Sequence, residues 1–179
     1  LTTGVDNTGV GVNALAVLTV GTDNVAVGDN ALAGLTTGID NTAVGSSAGL
    51  GITVGSSNVA VGAYALDAIT TGADNVASGL NALGTATTGT SNNTAVGSGA
   101  LALATTGTPN VAVGKDALAA LTVGFNNVAI GNGAADALTT AAANIAIGIN
   151  ALGAAISTVH NVAVGTNAML VATEGGNNT

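Results

Sequence analysis

Apolar and polar positions follow one short pattern that returns along the whole chain. The pattern is Asn-Val-Ala-Val-Gly at residues 24–28, and it recurs in identical or closely similar form. The copies begin at Asn7, Asn24, Asn41, Asn58, Asn75, Asn93, Asn110, Asn127, Asn144 and Asn161. The spacing is constant except for one longer step, between Asn75 and Asn93, that contains a single extra residue. A constant period of this length predicts a repeat architecture in which each copy forms one structural unit.

The full repeat has 17 positions, numbered from Leu18 (position 1) to Gly34 (position 17). Ten copies begin at Leu1, Leu18, Leu35, Ile52, Ile69, Ala86, Ala104, Leu121, Leu138 and Ala155, and a partial copy begins at Ala172. Position 7 is Asn in all eleven copies, and positions 11 and 14 are Gly and Ala in all ten full copies. Residues 1–179 are therefore predicted to form a single array. Because the chain opens on position 1 and stops on position 8, we expect a segment of a longer protein.

Each repeat is predicted to contain two short strands separated by turns. One strand covers the Val-Ala-Val block at positions 8–10, and the other runs from Ala-Leu at positions 14 and 15 into the next Leu-Thr-Thr. The Gly at position 4 and the Asp-Asn pair at positions 6 and 7 are typical of turns, since they adopt positive φ and bond the backbone. Pro109 and the single inserted residue, placed within Thr90–Asn92, both fall in this turn.

A helical interpretation fails because each repeat carries two Gly and runs of β-branched residues, which cost helices stability. The fold class predicted is all-β: a parallel β-solenoid of about ten coils of 17 residues. Coils stacked about 4.8 Å apart give a rod roughly 50 Å long.

Stacking places equal positions above one another as ladders. The Asn residues at position 7 are predicted to bond amide to amide along the rod axis. The Ala residues at position 14, from Ala14 to Ala168, allow close approach of the backbones. An apolar stack is predicted beside them, formed by Leu15, Leu32, Leu66, Leu83, Leu101, Leu118, Leu152 and Met169.

The alternation of side chains between the two sides of a strand bears on how the chain assembles. Neighbouring strand residues face opposite sides, yet Val-Ala-Val is apolar on both. One side fills the coil interior, and the other is left as a large exposed apolar surface unless something covers it. The pattern therefore predicts lateral association of identical chains around the rod axis.

The element Asn-x-Ala-Val/Ile-Gly-x-x-Ala resembles the head repeats of trimeric autotransporter adhesins. The longer unit Thr-Thr-Gly-x-Asp-Asn-Thr/Val-Ala-Val-Gly-x-x-Ala-Leu is similar to repeats of phage tail fibres and large bacterial surface proteins. The resemblance covers essentially all 179 residues. It implies left-handed parallel β-rolls, three chains to a head, and a place on the cell surface or on a virion.

Composition and charge narrow the function classes. Lys115 is the one Lys and there is no Arg, so phosphate neutralisation is unavailable and nucleic-acid binding is excluded. No apolar run reaches the roughly 18 residues that would cross a bilayer. The chain has one Phe, one Tyr and no Trp, which predicts a thin core of small side chains. The absence of Cys rules out a disulfide framework.

Few residues offer chemistry, and we assign no catalytic, cofactor-binding or metal-binding residue. His160 is predicted to be a plain turn residue, and Lys115 and Asp116 a solvated pair. Asp6, Asp23 and Asp40 share one turn position on adjacent coils, in a row that Ser57 interrupts. They are predicted to be a solvated acidic turn, with a bridging cation such as Ca²⁺ as the alternative.

The Thr residues at position 2 form a second candidate surface. They are Thr2, Thr19, Thr36, Thr53, Thr70, Thr87, Thr105, Thr122 and Thr139. Regular Thr rows on β-solenoids resemble the ice-binding faces of some antifreeze proteins, although here two Thr are adjacent and point to opposite sides. An ordinary β-branched strand is the other interpretation.

The sequence thus predicts a non-enzymatic structural segment of an extracellular fibre: a rigid shaft or head of a surface adhesin, an extracellular filament or a phage tail fibre. The expected partners are other copies of the chain, as a homotrimer or a filament, and a host-surface or matrix ligand. The alternative is an ice-binding β-solenoid that uses the Thr ladder.

Overall fold

The computed structural model describes residues 4–86, 89–170 and 176–178. Its strands are short, and each corresponds to one copy of the Val-Ala-Val block. They are β1 (Thr8–Val10), β2 (Val25–Val27), β3 (Thr42–Val44), β4 (Val59–Val61), β5 (Val76–Ser78), β6 (Thr94–Val96), β7 (Asn110–Val113), β8 (Asn127–Ile130), β9 (Ile145–Ile147) and β10 (Val162–Val164).

The ten strands form one parallel sheet in chain order, β1 to β10. Each strand pairs with the equivalent residues of the next repeat, so Ala26 lies beside Ala43. The extra residue between β5 and β6 does not disturb this register, because Ala77 still pairs with the equivalent Ala95. A parallel sheet whose neighbours are successive repeats is a β-solenoid, and the predicted all-β fold class is confirmed.

The interior is filled by small and medium aliphatic side chains from four positions of the repeat. In the second coil these are Leu18 (position 1), Ala26 (position 9), Ala31 (position 14) and Leu32 (position 15), and all four are buried. The same positions are buried in the third to ninth coils, mostly with no exposed surface, whereas Ala168 and Met169 of the tenth coil are only partly buried. The predicted Ala ladder and Leu stack are therefore confirmed as core, and no space remains for larger rings.

The second predicted strand is wrong. From position 11 onward the chain makes successive tight turns, in which Ala31 N donates to Gly28 O at 3.4 Å and Ala33 N donates to Asn30 O at 3.3 Å. Asn30 and Leu32 have φ of 56° and 49°. The left-handed conformation of Leu32 breaks the alternation of a strand, and this lets the adjacent Ala31 and Leu32 both face the interior.

Glycine at position 4 provides space rather than positive φ, which corrects the prediction. The left-handed residue of this turn is the Asp two positions later, as in Asp23 with φ of 56°. A Cβ on Gly21 would lie 2.4 Å from Gly38 O and 2.6 Å from Leu18 Cδ1. Coils therefore approach closely at this corner, and beside a Leu at position 1 only Gly or a residue as small as Ala141, next to Leu138, is found.

Two coils carry Thr at position 4, and in each of them a smaller residue at position 1 of the same coil makes room for it. Thr90 and Thr158 are both buried, and in both cases position 1 is Ala (Ala86 and Ala155) rather than a larger residue. Asn75 Nδ2 donates to Thr90 O at 2.8 Å, as its equivalents do to a position-4 carbonyl. Thr90–Asn92 thus align with positions 4–6, and the inserted residue belongs to 87–89, partly outside the described residues.

The Asn residues at position 7 form a buried column along the rod. Asn58 Nδ2 donates to Asn41 Oδ1 of the preceding coil at 3.1 Å and to Gly72 O of the following coil at 2.9 Å. Asn58 Oδ1 accepts from Asn75 N at 3.1 Å and from Asn75 Nδ2 at 3.0 Å. Both donor hydrogens and the acceptor of the Asn58 amide are satisfied, and the same bonds between coils recur along the column, so the predicted amide ladder is confirmed.

We expect Asn58→Ala to lower the free energy of unfolding by about 3 kcal/mol, because it leaves the buried Asn75 N without its acceptor and the buried Gly72 O without its donor. The measurement is denaturant unfolding followed by circular dichroism. Asn132→Ala, at an exposed turn position, is the matched control and should change stability by less than about 0.5 kcal/mol. Equal losses in the two variants would contradict a structural role for the column.

Candidate functional surfaces

The outer side of the sheet is a flat apolar band, which we call the sheet face. It consists of the outward side chains at positions 8 and 10 of each coil, on either side of the buried Ala. Sixteen of its twenty residues are Val or Ile, three are Thr and one is Ser. They are Thr8, Val10, Val25, Val27, Thr42, Val44, Val59, Val61, Val76, Ser78, Thr94, Val96, Val111, Val113, Val128, Ile130, Ile145, Ile147, Val162 and Val164.

The sheet face is solvent-exposed in the single chain. Val27, Val61 and Ile147 keep 36%, 39% and 37% of their surface, while Ala26 between the two rows keeps none. Two side chains per strand on ten strands make a band of about 48 Å by 12 Å, roughly 600 Å². This is at the upper limit of the apolar patches that monomers expose. The predicted two-sided apolar character is confirmed.

Acidic residues line one edge of the sheet face, at position 6, over the first half of the rod. Asp6, Asp23, Asp40 and Asp74 are exposed turn residues, and Ser57 interrupts their row. In the second half the same position carries no acid, and its residues are Asn92, Pro109, Asn126, Ala143 and His160. Among the described residues, no three His, Cys, Asp or Glu side chains converge as metal ligands.

The other candidate side chains lie apart from one another on the surface. His160 is exposed, with φ of 56° in the same turn as the aspartates. Lys115 Nζ lies 2.9 Å from Asp116 Oδ2, and both side chains are largely exposed. The hydrogen bond to Asp116 raises the pKa of Lys115. The structure brings none of these groups together with the acidic row.

The Thr ladder is occupied by bonds within the rod. Thr36 Oγ1 donates to Thr53 O at 2.9 Å, and Thr122 Oγ1 donates to Thr139 O at 3.0 Å. Thr19, Thr53, Thr105 and Thr139 bond the next coil in the same way. These hydroxyls therefore stabilise the stacking of coils. Thr2 and Thr87 lie outside the described residues.

Two aspartates that the sequence did not single out sit half-buried at position 16. Burial raises the pKa of Asp67, and backbone hydrogen bonding offsets this in part. Burial likewise raises the pKa of Asp136, to which the charge of Asp116 adds a smaller effect in the same direction. Their position is apolar or small in other coils, so only the packing of the turns reveals them.

No known protein family, curated protein or solved structure matches the chain. The described part of the chain has no cavity that would hold a small molecule. It also has no helix long and apolar enough to span a bilayer.

Asp67 and Asp136 should make the protein less stable as pH rises. Their folded-state pKa is raised, so the folded chain holds these protons more tightly than the unfolded chain. Their stabilising protonation is complete below the unfolded value of 3.8 and is lost as pH rises through the folded value. Thermal unfolding should therefore occur at a higher temperature at pH 3 than at pH 7.

The double variant Asp67→Asn/Asp136→Asn should raise the unfolding temperature at pH 7 and reduce its dependence on pH. Asp23→Asn/Asp40→Asn, which removes two charges at exposed turns, is the control for net charge. If the control flattens the pH profile as much as the double variant does, burial of these two carboxyls is not the cause.

Proposed function

We propose that the chain is a non-enzymatic structural rod of an extracellular fibre, such as a surface adhesin, an extracellular filament or a phage tail fibre. The observation that carries this proposal is the continuous column of Asn amides, which is buried from Asn24 to Asn161 and extends to the more exposed Asn7 and Asn178 at its ends. A rod so bonded along its length is suited to holding two points a fixed distance apart.

The bonds that join the coils repeat at every interface between them. Between the second and third coils, Val25 N donates to Asn41 O at 2.8 Å in the sheet, and Leu32 N donates to Ala48 O at 3.0 Å among the turns. Because each coil covers the strand edge of the one before it, few edges are open to other chains or to proteases. These features favour a stiff spacer.

Lateral association with identical chains is the second part of the proposal. The sheet face is apolar, free of charge and long enough to bury an area of the size that specific interfaces need. The resemblance to adhesin heads implies three parallel chains around the rod axis, an arrangement that is compared below with an antiparallel pair. Adhesion to a host surface or matrix would then be multivalent, with equal sites repeated along the side of the rod.

Ice binding through the Thr ladder is a weaker candidate. The hydroxyls of Thr36 and Thr122 are held by backbone carbonyls of the next coil, and this leaves them poorly placed to organise water. If the intact chain shows thermal hysteresis and the Thr36→Leu/Thr70→Leu variant does not, the chain binds ice through the Thr ladder.

Lateral association predicts that Val61→Asp reduces the native assembly to a single chain. A carboxylate in an apolar contact loses its hydration without gaining a partner, so the contact is lost. Val54→Asp is the matched control, because it lies in the same coil, is 47% exposed and sits outside the sheet face. The measurement is the mass by light scattering, with electron microscopy of the same sample.

The unaltered chain and Val54→Asp should have the mass of more than one chain and appear as short uniform rods in micrographs. If the unaltered chain has the mass of one chain, lateral association is wrong. If Val61→Asp and Val54→Asp lower the mass equally, the association uses another surface.

A further inference from the structure

We infer that the sheet face packs against the sheet face of a second copy of this chain in antiparallel orientation, with the two-fold axis parallel to the strands. The inference rests on the lateral association proposed above, and it names the contact surface, the partner and the direction. The first coil of one copy then lies opposite the tenth coil of the other.

The surface shape of the sheet face indicates that its binding partner is a second copy of the chain. Its two rows of β-branched side chains repeat at the spacing of the strands, about 4.8 Å, with ridges and grooves across the rod. A partner fills these grooves along their whole length only if it repeats at the same spacing. The sheet face of another copy does so, and two such sheets pack face to face with interdigitating side chains.

The area that two packed sheet faces would bury is also consistent with a second copy as the partner. Full overlap of two sheet faces buries roughly 600 Å² on each copy, or about 1,200 Å² in total, which is the lower limit of stable specific interfaces. Full overlap also removes all sixteen Val and Ile side chains of the face from water. A shift by one coil keeps the fit, but in one direction it brings the Asp74 side chains of the two copies directly opposite each other.

The charges along the edge select the antiparallel direction. With the two-fold axis parallel to the strands, position 6 of each coil meets position 6 of the opposite coil. Asp6 then faces His160, Asp23 faces Ala143 and Asp40 faces Asn126. Asp74 faces Asn92 in the same way. Each acid of the first half therefore lies opposite the acid-free half of its partner, and the nearest like charges across the contact are the two Asp74 side chains, one coil step or about 5 Å apart along the rod.

Parallel arrangements lack this property. When two or three copies run in the same direction around a common axis, position 6 of one coil meets position 12 of the same coil in the next copy. In the second coil these positions are Asp23 and Asp29, which are both exposed. Two carboxylates of the second coil then meet at each interface between copies. Lys115, the chain's only Lys or Arg, is five coils away and cannot neutralise them.

Distances between spin labels test the direction, and the absence of Cys makes single labels straightforward. Ser98→Cys and Thr166→Cys both place a label at exposed position 12, in the sixth and tenth coils. In the antiparallel pair, the two labels on residue 98 are separated by one coil step along the rod, about 5 Å. The two labels on residue 166 are separated by nine steps, about 43 Å.

The expected result of pulsed dipolar spectroscopy is therefore a short distance for Ser98→Cys and a distance of about 43 Å for Thr166→Cys. The double variant Val61→Asp/Ser98→Cys should show no defined distance. Equal distances at the two positions would overturn the antiparallel pairing and support a parallel dimer or trimer. Absence of any defined distance, together with the mass of one chain, would overturn lateral association as well.

Discussion

The buried Asn column is the interaction on which the rest of the structure depends. An amide at position 7 has two donor hydrogens and one strong acceptor, and the neighbouring coils use all of them, as Asn58 shows. Such a column tolerates no slip, because a shift of one residue would turn the amide outward and leave its partners buried without bonds. The strict period of the sequence follows from this requirement, since each Asn must meet its equivalents in the coils before and after it.

Close stacking of identical coils also explains the small side chains. The backbones approach so closely that a Cβ on Gly28 would lie 2.4 Å from Gly45 O. Ala at positions 9 and 14 fills the narrow interior, and Leu at position 15 fills the remainder by adopting a left-handed conformation, as in Leu32 with φ of 49°. The coil also leaves the sheet face uncovered, so the outward half of the strand that organises the fold is available for function.

The period, the strand at positions 8–10 and the amide column could be predicted because equal residues at equal spacing must stack. The turns at positions 13–15 could not, since Asn-Ala-Leu suits a strand and only three-dimensional packing imposes the left-handed conformation of Leu32. The small Ala155 at position 1 of the coil that carries Thr158 at position 4 can be seen in the sequence. Its meaning depends on the structure, in which a Cβ on Gly21 would lie 2.6 Å from Leu18 Cδ1. The sequence likewise shows that position 6 is acidic in the first half of the rod and free of acids in the second. This difference bears on assembly only because the structure places position 6 beside an exposed sheet face.

The most direct test of the buried amide column is hydrogen exchange of the Asn side chains, followed by nuclear magnetic resonance. Side-chain amide protons in water exchange rapidly, whereas the Nδ2 protons of Asn41, Asn58 and Asn75 are predicted to be as protected as the strand amides, because they are buried and bonded to both neighbouring coils. Exchange at the rate of an exposed amide such as that of Asn132 would contradict the account.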